Sequence, residues 1–153
     1  MTKRALVPYL ILGISFIYFF HRIFAALAHD WWQDENYSHG FLILPLALYF
    51  AWERRKKFLA APAQSNFLGL VLFIICVLAA SQDMHLFVNR ICMLLTLAGG
   101  VLYLSGWRRM KIMIFPIAFM LLMIPIPAVI FNQIAFPLQL LASRFGEFVL
   151  NAF

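Results

Sequence analysis

Long apolar runs separated by short polar clusters make up most of the sequence. The uncharged stretches Phe58–Gln82 and Ile112–Ser143 contain 25 and 32 residues. A helix needs about 20 apolar residues to cross the hydrocarbon layer of a bilayer. The pattern therefore predicts an all-α fold, a polytopic transmembrane helix bundle of five to six helices in a single domain over residues 1–153. Five crossings and a sixth apolar helix are expected at about 5–28, 38–54, 66–82, 86–106, 112–131 and 133–153.

Prolines divide the longest apolar run. Pro125 and Pro127 stand one residue apart and remove two backbone donors, so a helix is expected to break there. Pro137 is expected to interrupt the same run again. Within a bilayer, such a break is tolerated where protein or a wet cavity shields the freed carbonyl groups.

The first apolar run has some features of a secretory signal peptide. Lys3 and Arg4 precede it, and Ala26–Ala28 is similar to a cleavage site. However, the run is longer than the usual apolar core of a signal peptide, and His21 and Arg22 come well before the site. We expect this segment to be retained as a membrane helix.

Basic clusters alternate with acidic or neutral connections along the chain. Lys3–Arg4, Arg54–Lys57 and Arg108–Lys111 flank alternate spans, whereas His29–Gly40 carries three carboxylates and no Lys or Arg. Basic residues are retained in the cytoplasm by the positive-inside rule. This arrangement predicts a cytoplasmic N-terminus, with His29–Gly40 and the end of the fifth span outside.

The composition argues against an ordinary soluble domain and against a disordered chain. Hydrophobic residues make up 65% of the chain and charged residues 12%, far from the average of soluble domains, and polar low-complexity tracts are missing. The net charge of +6 does not indicate nucleic-acid binding, because the basic residues lie in short clusters of the kind that set membrane topology. The lipid bilayer is the first predicted partner.

The outer segment His29–Gly40 is the most polar part of the chain. Its spacing of His, Asp and Glu matches no metal-binding or hydrolase motif, so no metal site is predicted. Two interpretations stay open, a catalytic site such as a general acid/base pair and a solvated loop, and the lack of a recognised spacing favours the loop. In the second, Asn36 or Ser38 caps the following helix, and Trp31 and Trp32 anchor at the membrane interface.

Three residues inside the apolar runs have chemistry of their own. Cys76 and Cys92 lie in the middle of apolar helices, where a thiol usually packs as a small hydrophobe, and no disulfide is expected. Arg90 lies near the outer end of the fourth span. Ionisable groups in a membrane are costly, so Arg90 is expected either to serve a cavity or to pair with a carboxylate, such as Asp83 or one from the outer segment.

The last helix carries a narrow polar stripe. Its members recur every fourth residue: Gln139, Ser143, Glu147 and Asn151. Arg144 is placed to pair with Glu147. Either this helix lies in the outer interface, or the stripe lines a polar cavity in the bundle; the broad apolar face favours the cavity.

Two separated segments resemble the bacterial exosortase family. The run Asp34–Pro45, continuing through Tyr49–Arg55, resembles the N-terminal signature of that family, and Phe115–Pro127 with Pro137–Gln139 after it is similar to its later transmembrane signature. The motif residues whose role is unknown are Asp34, Tyr37, Ser38, His39, Gly40, Pro125 and Pro127.

The resemblance implies a multi-pass cysteine protease of the bacterial inner membrane, proposed to act as a transpeptidase. Such proteins process substrates that carry C-terminal sorting tags of the Pro-Glu-Pro type, often alongside exopolysaccharide production. The family uses a Cys, an Arg and a His on the extracytoplasmic side, and no cofactor is predicted for this chain. Tagged proteins and the exopolysaccharide machinery are therefore the partners that the resemblance implies.

The chain departs from the family at the catalytic residues. In family members the Cys, Arg and His follow the region matched here, and neither Cys76 nor Cys92 has the Ala-Cys-Ser-Gly context. No catalytic residue is carried over, and the chain is expected to be the N-terminal part of a longer exosortase domain, inactive alone. The alternative is a small non-enzymatic scaffold subunit linked to exopolysaccharide or cell-envelope export. A solute carrier is disfavoured, because no inverted repeat is visible.

Overall fold

The computed structural model describes residues 3–82 and 85–152. Within these ranges all regular secondary structure is helical, which confirms the all-α prediction. The α-helices are α1 (Lys3–Gln33), α2 (Gly40–Glu53), α3 (Arg55–Ala60), α4 (Phe67–Ser81), α5 (Leu86–Phe119) and α6 (Ala128–Ala152). Short 3₁₀ helices cover Glu35–Tyr37 and Met120–Met123.

Gly106 divides α5 into two halves that run in opposite directions. Its φ of 79° and ψ of 176° are not helical, and a Cβ atom here would lie 1.9 Å from the carbonyl oxygen of Gln64. Only glycine combines this conformation with so close a contact. Because the chain turns back at Gly106, Arg90 and Leu122 lie at the same end of the bundle, where both line one cavity. The prediction of two separate spans in this region placed the reversal a few residues too late.

The helices pack as neighbouring antiparallel segments. The backbone of α4 touches the first half of α5 where Gly69 faces Gly99 and Tyr103, in the close approach that small residues allow between membrane helices. The second half of α5 returns along α2, with Phe50 packed against Phe115 and Phe119 at ring separations of 5.2 and 5.3 Å.

The main core lies between α1, α2 and α5 towards one end of the bundle. Phe20, Leu27 and Met93 are fully buried there, and Met123 is nearly so. Trp31 and Ile124 extend this cluster to the end of α1 and to the proline-containing segment. The core therefore supports the region in which the two exosortase-like motifs lie.

Helix α6 leaves the bundle. Its described side chains are exposed apart from the half-buried Ala135, and it continues through Pro137, so the expected interruption there is wrong. The fifth span was expected to reach residue 131 but ends at Met123, and α6 starts at Ala128 rather than near 133.

Two segments are long and apolar enough to cross a membrane, Leu10–Gln33 and Leu86–Met123, and α4 is a shorter apolar helix. The second segment contains the turn at Gly106. The count of five crossings and the cytoplasmic N-terminus stay predictions.

Candidate functional site

The site begins with the backbone groups that the prolines leave unpaired. In an α-helix each carbonyl accepts from the N–H four residues later, and proline has none. Pro125 and Pro127 therefore deprive Leu121 and Met123 of their helical partners. Regular helix ends at Met123, as the prolines predict, and residues 124–127 are not helical. The Leu121 carbonyl instead accepts from the N–H of Ile124 at 3.1 Å.

Side chains from the outer segment donate to the other free carbonyls of this break. Three hydrogen bonds join the two regions: Trp31 Nε1 to Met123 O at 2.9 Å, His39 Nε2 to Leu122 O at 3.3 Å, and Tyr37 Oη to Ile126 O at 3.2 Å. Because a carbonyl oxygen only accepts, His39 must carry a proton on Nε2. The two sequence motifs are thus in direct contact, although more than 80 residues separate them.

Gly40 makes room for the indole of Trp31. A Cβ atom at Gly40 would lie 2.2 Å from Trp31 Nε1, so any larger residue collides with the group that bonds Met123. The indole is 6% exposed and meets the Phe41 ring edge-on at 5.2 Å. The contribution of Gly40 to the site is therefore to leave room for the Trp31 indole that bonds Met123.

Asp34 and Ser38 shape the turn between α1 and α2. The Asp34 carboxylate accepts from the Asn36 backbone N–H at 3.0 Å and from Asn36 Nδ2 at 2.9 Å. Ser38 Oγ donates to the Glu35 carbonyl at 2.9 Å. The expectation that Asn36 or Ser38 caps α2 is wrong, since His39 precedes that helix and its side chain makes no capping bond. The polar residues instead cap and close the 3₁₀ helix.

A cavity of about 1300 Å³ lies beside this junction. Its wall is formed by the end of α1, the turn after it, the start of α5 and residues 121–131, and most of that wall is apolar. The polar residues that face it with charged or titratable groups are His29, Asp30, Asp34, Tyr37, His39, His85 and Arg90. An apolar cavity with a few convergent polar groups is the usual form of a binding site.

Arg90 is the buried cation of the cavity. It is 4% exposed, and its Nη2 bonds Asp30 Oδ2 at 2.5 Å. Of the carboxylates expected to pair with it, one from the outer segment does so, and Asp83 lies outside the described residues. Arg90 Nε is buried and has no hydrogen-bond partner among the described residues. Asp30 thus fixes one edge of the guanidinium, and the Nε donor makes no hydrogen bond within the described residues.

The polar stripe of α6 lies elsewhere. Gln139, Ser143 and Glu147 are exposed and outside this cavity, and Arg144 borders a shallow surface depression beside apolar residues of its own helix. Within the described residues the sole ion pair is Arg90–Asp30, so Arg144 and Glu147 are not bonded to each other. A cavity-lining role for the stripe stays a prediction.

The two thiols are also away from the cavity. Cys76 and Cys92 are 4% and 8% exposed, each within a helix, and both are free. This burial agrees with the packing role predicted for them. Among the described residues, no three His, Cys, Asp or Glu side chains come together as a metal site would require.

The family comparison covers both motifs. A match to the family described as transmembrane exosortase extends over residues 31–153. The chain belongs to the transmembrane exosortase family. No curated protein and no solved structure matches it. Membership makes it a membrane protein with an exosortase-like function, in a family that is generally one of cysteine proteases or transpeptidases.

Trp31 is the residue of this exosortase site that sequence reasoning missed. It was expected at the outer membrane interface beside Trp32, and this is wrong, because α1 continues to Gln33 and turns the two indoles apart. Trp32 is 80% exposed. The spacing of Phe20, Leu27 and Trp31 by seven and four residues is the available signal, since it places all three on one helix face.

Removing the indole donor should destabilise this exosortase. Trp31→Phe leaves the buried Met123 carbonyl without its partner, at a cost of about 1–3 kcal/mol in the free energy of unfolding. Trp32→Phe, the matched control, should change it by less than about 0.5 kcal/mol, because that side chain is exposed. Denaturant unfolding of both variants in detergent micelles measures the difference. Equal losses in the two variants would show that the Trp31 bond contributes nothing specific.

Proposed function

We propose that the chain acts in the processing of proteins that carry C-terminal sorting tags of the Pro-Glu-Pro type, and that the cavity beside the proline break receives the tag. Family membership supports the exosortase-like part of this proposal. The proposal that the cavity receives the tag is based on one observation, that both family motifs are hydrogen-bonded to each other at the wall of one cavity.

The chemistry of the cavity suits such a tag. A carboxylate between two prolines offers one anionic acceptor flanked by apolar rings without N–H donors. Arg90 lines the cavity and supplies a cation for the carboxylate, and a charge-assisted hydrogen bond is stronger than a neutral one. Asp30 holds the guanidinium in place and offsets part of its charge. The apolar wall, which includes Pro125 and Ile126, suits the proline rings.

In this proposal the chain by itself binds the tag without cleaving it. A cysteine protease needs its thiolate at the scissile carbonyl. Cys76 and Cys92 are buried within helices and do not line the cavity, so neither is proposed as the nucleophile. No cofactor is invoked.

We further propose a multi-pass arrangement in the bacterial inner membrane, with the N-terminus in the cytoplasm and the cavity outside. Two basic clusters meet at the end of the bundle away from the cavity, where Arg54 Nη1 donates to the Ile112 carbonyl and Arg109 Nε to the Ala61 carbonyl. The positive-inside rule assigns such an end to the cytoplasm.

Reporter fusions test this orientation. Fusions after Trp52 and Trp107 should be active only with a cytoplasmic reporter, and fusions after His39 and Asp83 only with an extracytoplasmic reporter. The expectation follows from the basic clusters beside Trp52 and Trp107. Enzyme activities of paired reporters at each position provide the measurement, and the reversed pattern would refute the orientation.

Peptide binding tests the role of the cavity. A fluorescent peptide with a Pro-Glu-Pro tag should bind the full chain in nanodiscs about tenfold or more tightly than its Pro-Gln-Pro counterpart, because both partners of the hydrogen bond to Arg90 are charged only with Glu. Fluorescence anisotropy gives both affinities, and peptide mass spectrometry reports cleavage.

Two variants provide the controls. Arg90→Gln should remove the preference for Glu, whereas Arg22→Gln, at an exposed position on α1, should keep it. Equal affinity of the wild-type chain for both peptides would exclude recognition of the tag by Arg90. Cleavage that depends on Cys76 or Cys92 would refute the assignment of both thiols to packing.

A further inference from the structure

The end of the bundle opposite the cavity collects seven basic residues from two parts of the chain, Arg54–Lys57 and Arg108–Lys111. The turn at Gly106 places the second cluster beside α3, and Arg109 Nε fixes it there by donating to the Ala61 carbonyl at 2.9 Å. Arg54 Nη1 bonds the Ile112 carbonyl at 3.3 Å across the same junction. Two clusters that lie far apart in sequence, Arg54–Lys57 and Arg108–Lys111, thus form one surface.

Three of the seven side chains make contacts within the protein, and two of them, Arg54 and Arg109, join the two parts of the chain. The three are Arg54, Arg55 and Arg109, and each donates a hydrogen bond to a backbone carbonyl. Each also lies over an aromatic ring. The distances from the guanidinium carbon to the ring centroid are 4.7 Å for Arg54 on Phe115, 4.1 Å for Arg55 on Trp52 and 5.1 Å for Arg109 on Phe58. Cation–π contacts of this kind fix the orientation of the cation. These contacts give the three arginines a structural role.

The other four side chains are exposed and have no such role. We call Lys56, Lys57, Arg108 and Lys111 the basic collar. Among the described residues, none of their side chains makes a hydrogen bond or an ion pair, and the ion pair that exists lies at the opposite end of the bundle. Glu53 is the one carboxylate near them in sequence. The collar therefore presents positive charge that the described part of the chain does not balance.

We propose that the basic collar binds the phosphate headgroup of an anionic phospholipid. The exposed indoles of Trp52 and Trp107 stand next to the two clusters, and apolar helix surface continues beyond them. Aromatic residues of this kind lie at the headgroup level of a membrane, so the collar faces lipid phosphates, while the adjoining helix surface faces acyl chains. Juxtamembrane clusters of four to eight Lys and Arg bind anionic lipids in this way. The proposal does not depend on the tag-binding function.

Native mass spectrometry with a lipid competition tests the proposal. The full chain in detergent is mixed with equal amounts of phosphatidylglycerol and phosphatidylcholine of the same acyl chains. Bound phosphatidylglycerol should exceed bound phosphatidylcholine by at least about fivefold, which is the preference that one Lys or Arg near the lipid contributes. The excess should decline at high salt, because exposed charges are screened.

Matched double variants separate the collar from net charge. Lys56→Gln/Lys57→Gln should lose most of the excess, whereas Arg22→Gln/Arg144→Gln, which removes two exposed charges elsewhere, should keep it. Lys56→Arg/Lys57→Arg should also keep it, so a failure to fold is distinguishable from a loss of binding. Equal loss in both glutamine variants, no preference in the wild-type chain, or full displacement by millimolar inorganic phosphate would overturn the proposal.

Discussion

The hydrogen bonds between Trp31, Tyr37 and His39 and the carbonyls of the proline break are the interactions on which the site depends. The Met123 carbonyl that Trp31 bonds is buried, and a buried carbonyl without a donor costs about 1–3 kcal/mol. Because of the prolines, hydrogen-bond donors for these carbonyls must come from a distant part of the chain. The outer segment supplies them from an indole, a phenol and an imidazole.

This constraint accounts for several otherwise separate features of the sequence. Gly40 is small because Trp31 Nε1 passes next to it, and Asp34 and Ser38 fix the turn that brings Tyr37 and His39 to the break. The nonhelical segment in turn lines the cavity, and the Arg90–Asp30 pair lies in the same wall. Two sequence motifs of one family thus form a single structural unit.

Four features could be predicted from the sequence, because each follows from local composition or backbone chemistry. They are the helical class, the proline break, the turn between the halves of α5 and the burial of both thiols. The roles of Trp31 and Gly40 were not predictable, since they depend on a contact between residues far apart in the chain. The end of α1 was placed at residue 28 because polar residues begin there, yet Trp31 is drawn into the core and extends the helix to Gln33. The exposure of α6 was likewise not predictable, because an apolar helix has the same sequence pattern whether it packs against lipid or against protein.

A double-mutant cycle tests the central claim most directly. Replacing Pro125 and Pro127 by alanine returns N–H donors for the carbonyls of Leu121 and Met123, so Trp31→Phe should destabilise the Pro125→Ala/Pro127→Ala background by at least about 1 kcal/mol less than it destabilises the wild-type chain. The free energies of unfolding of the four proteins in the same detergent provide the measurement. Losses that agree within about 0.5 kcal/mol in the two backgrounds would show that Trp31 does not act through the carbonyls of the proline break.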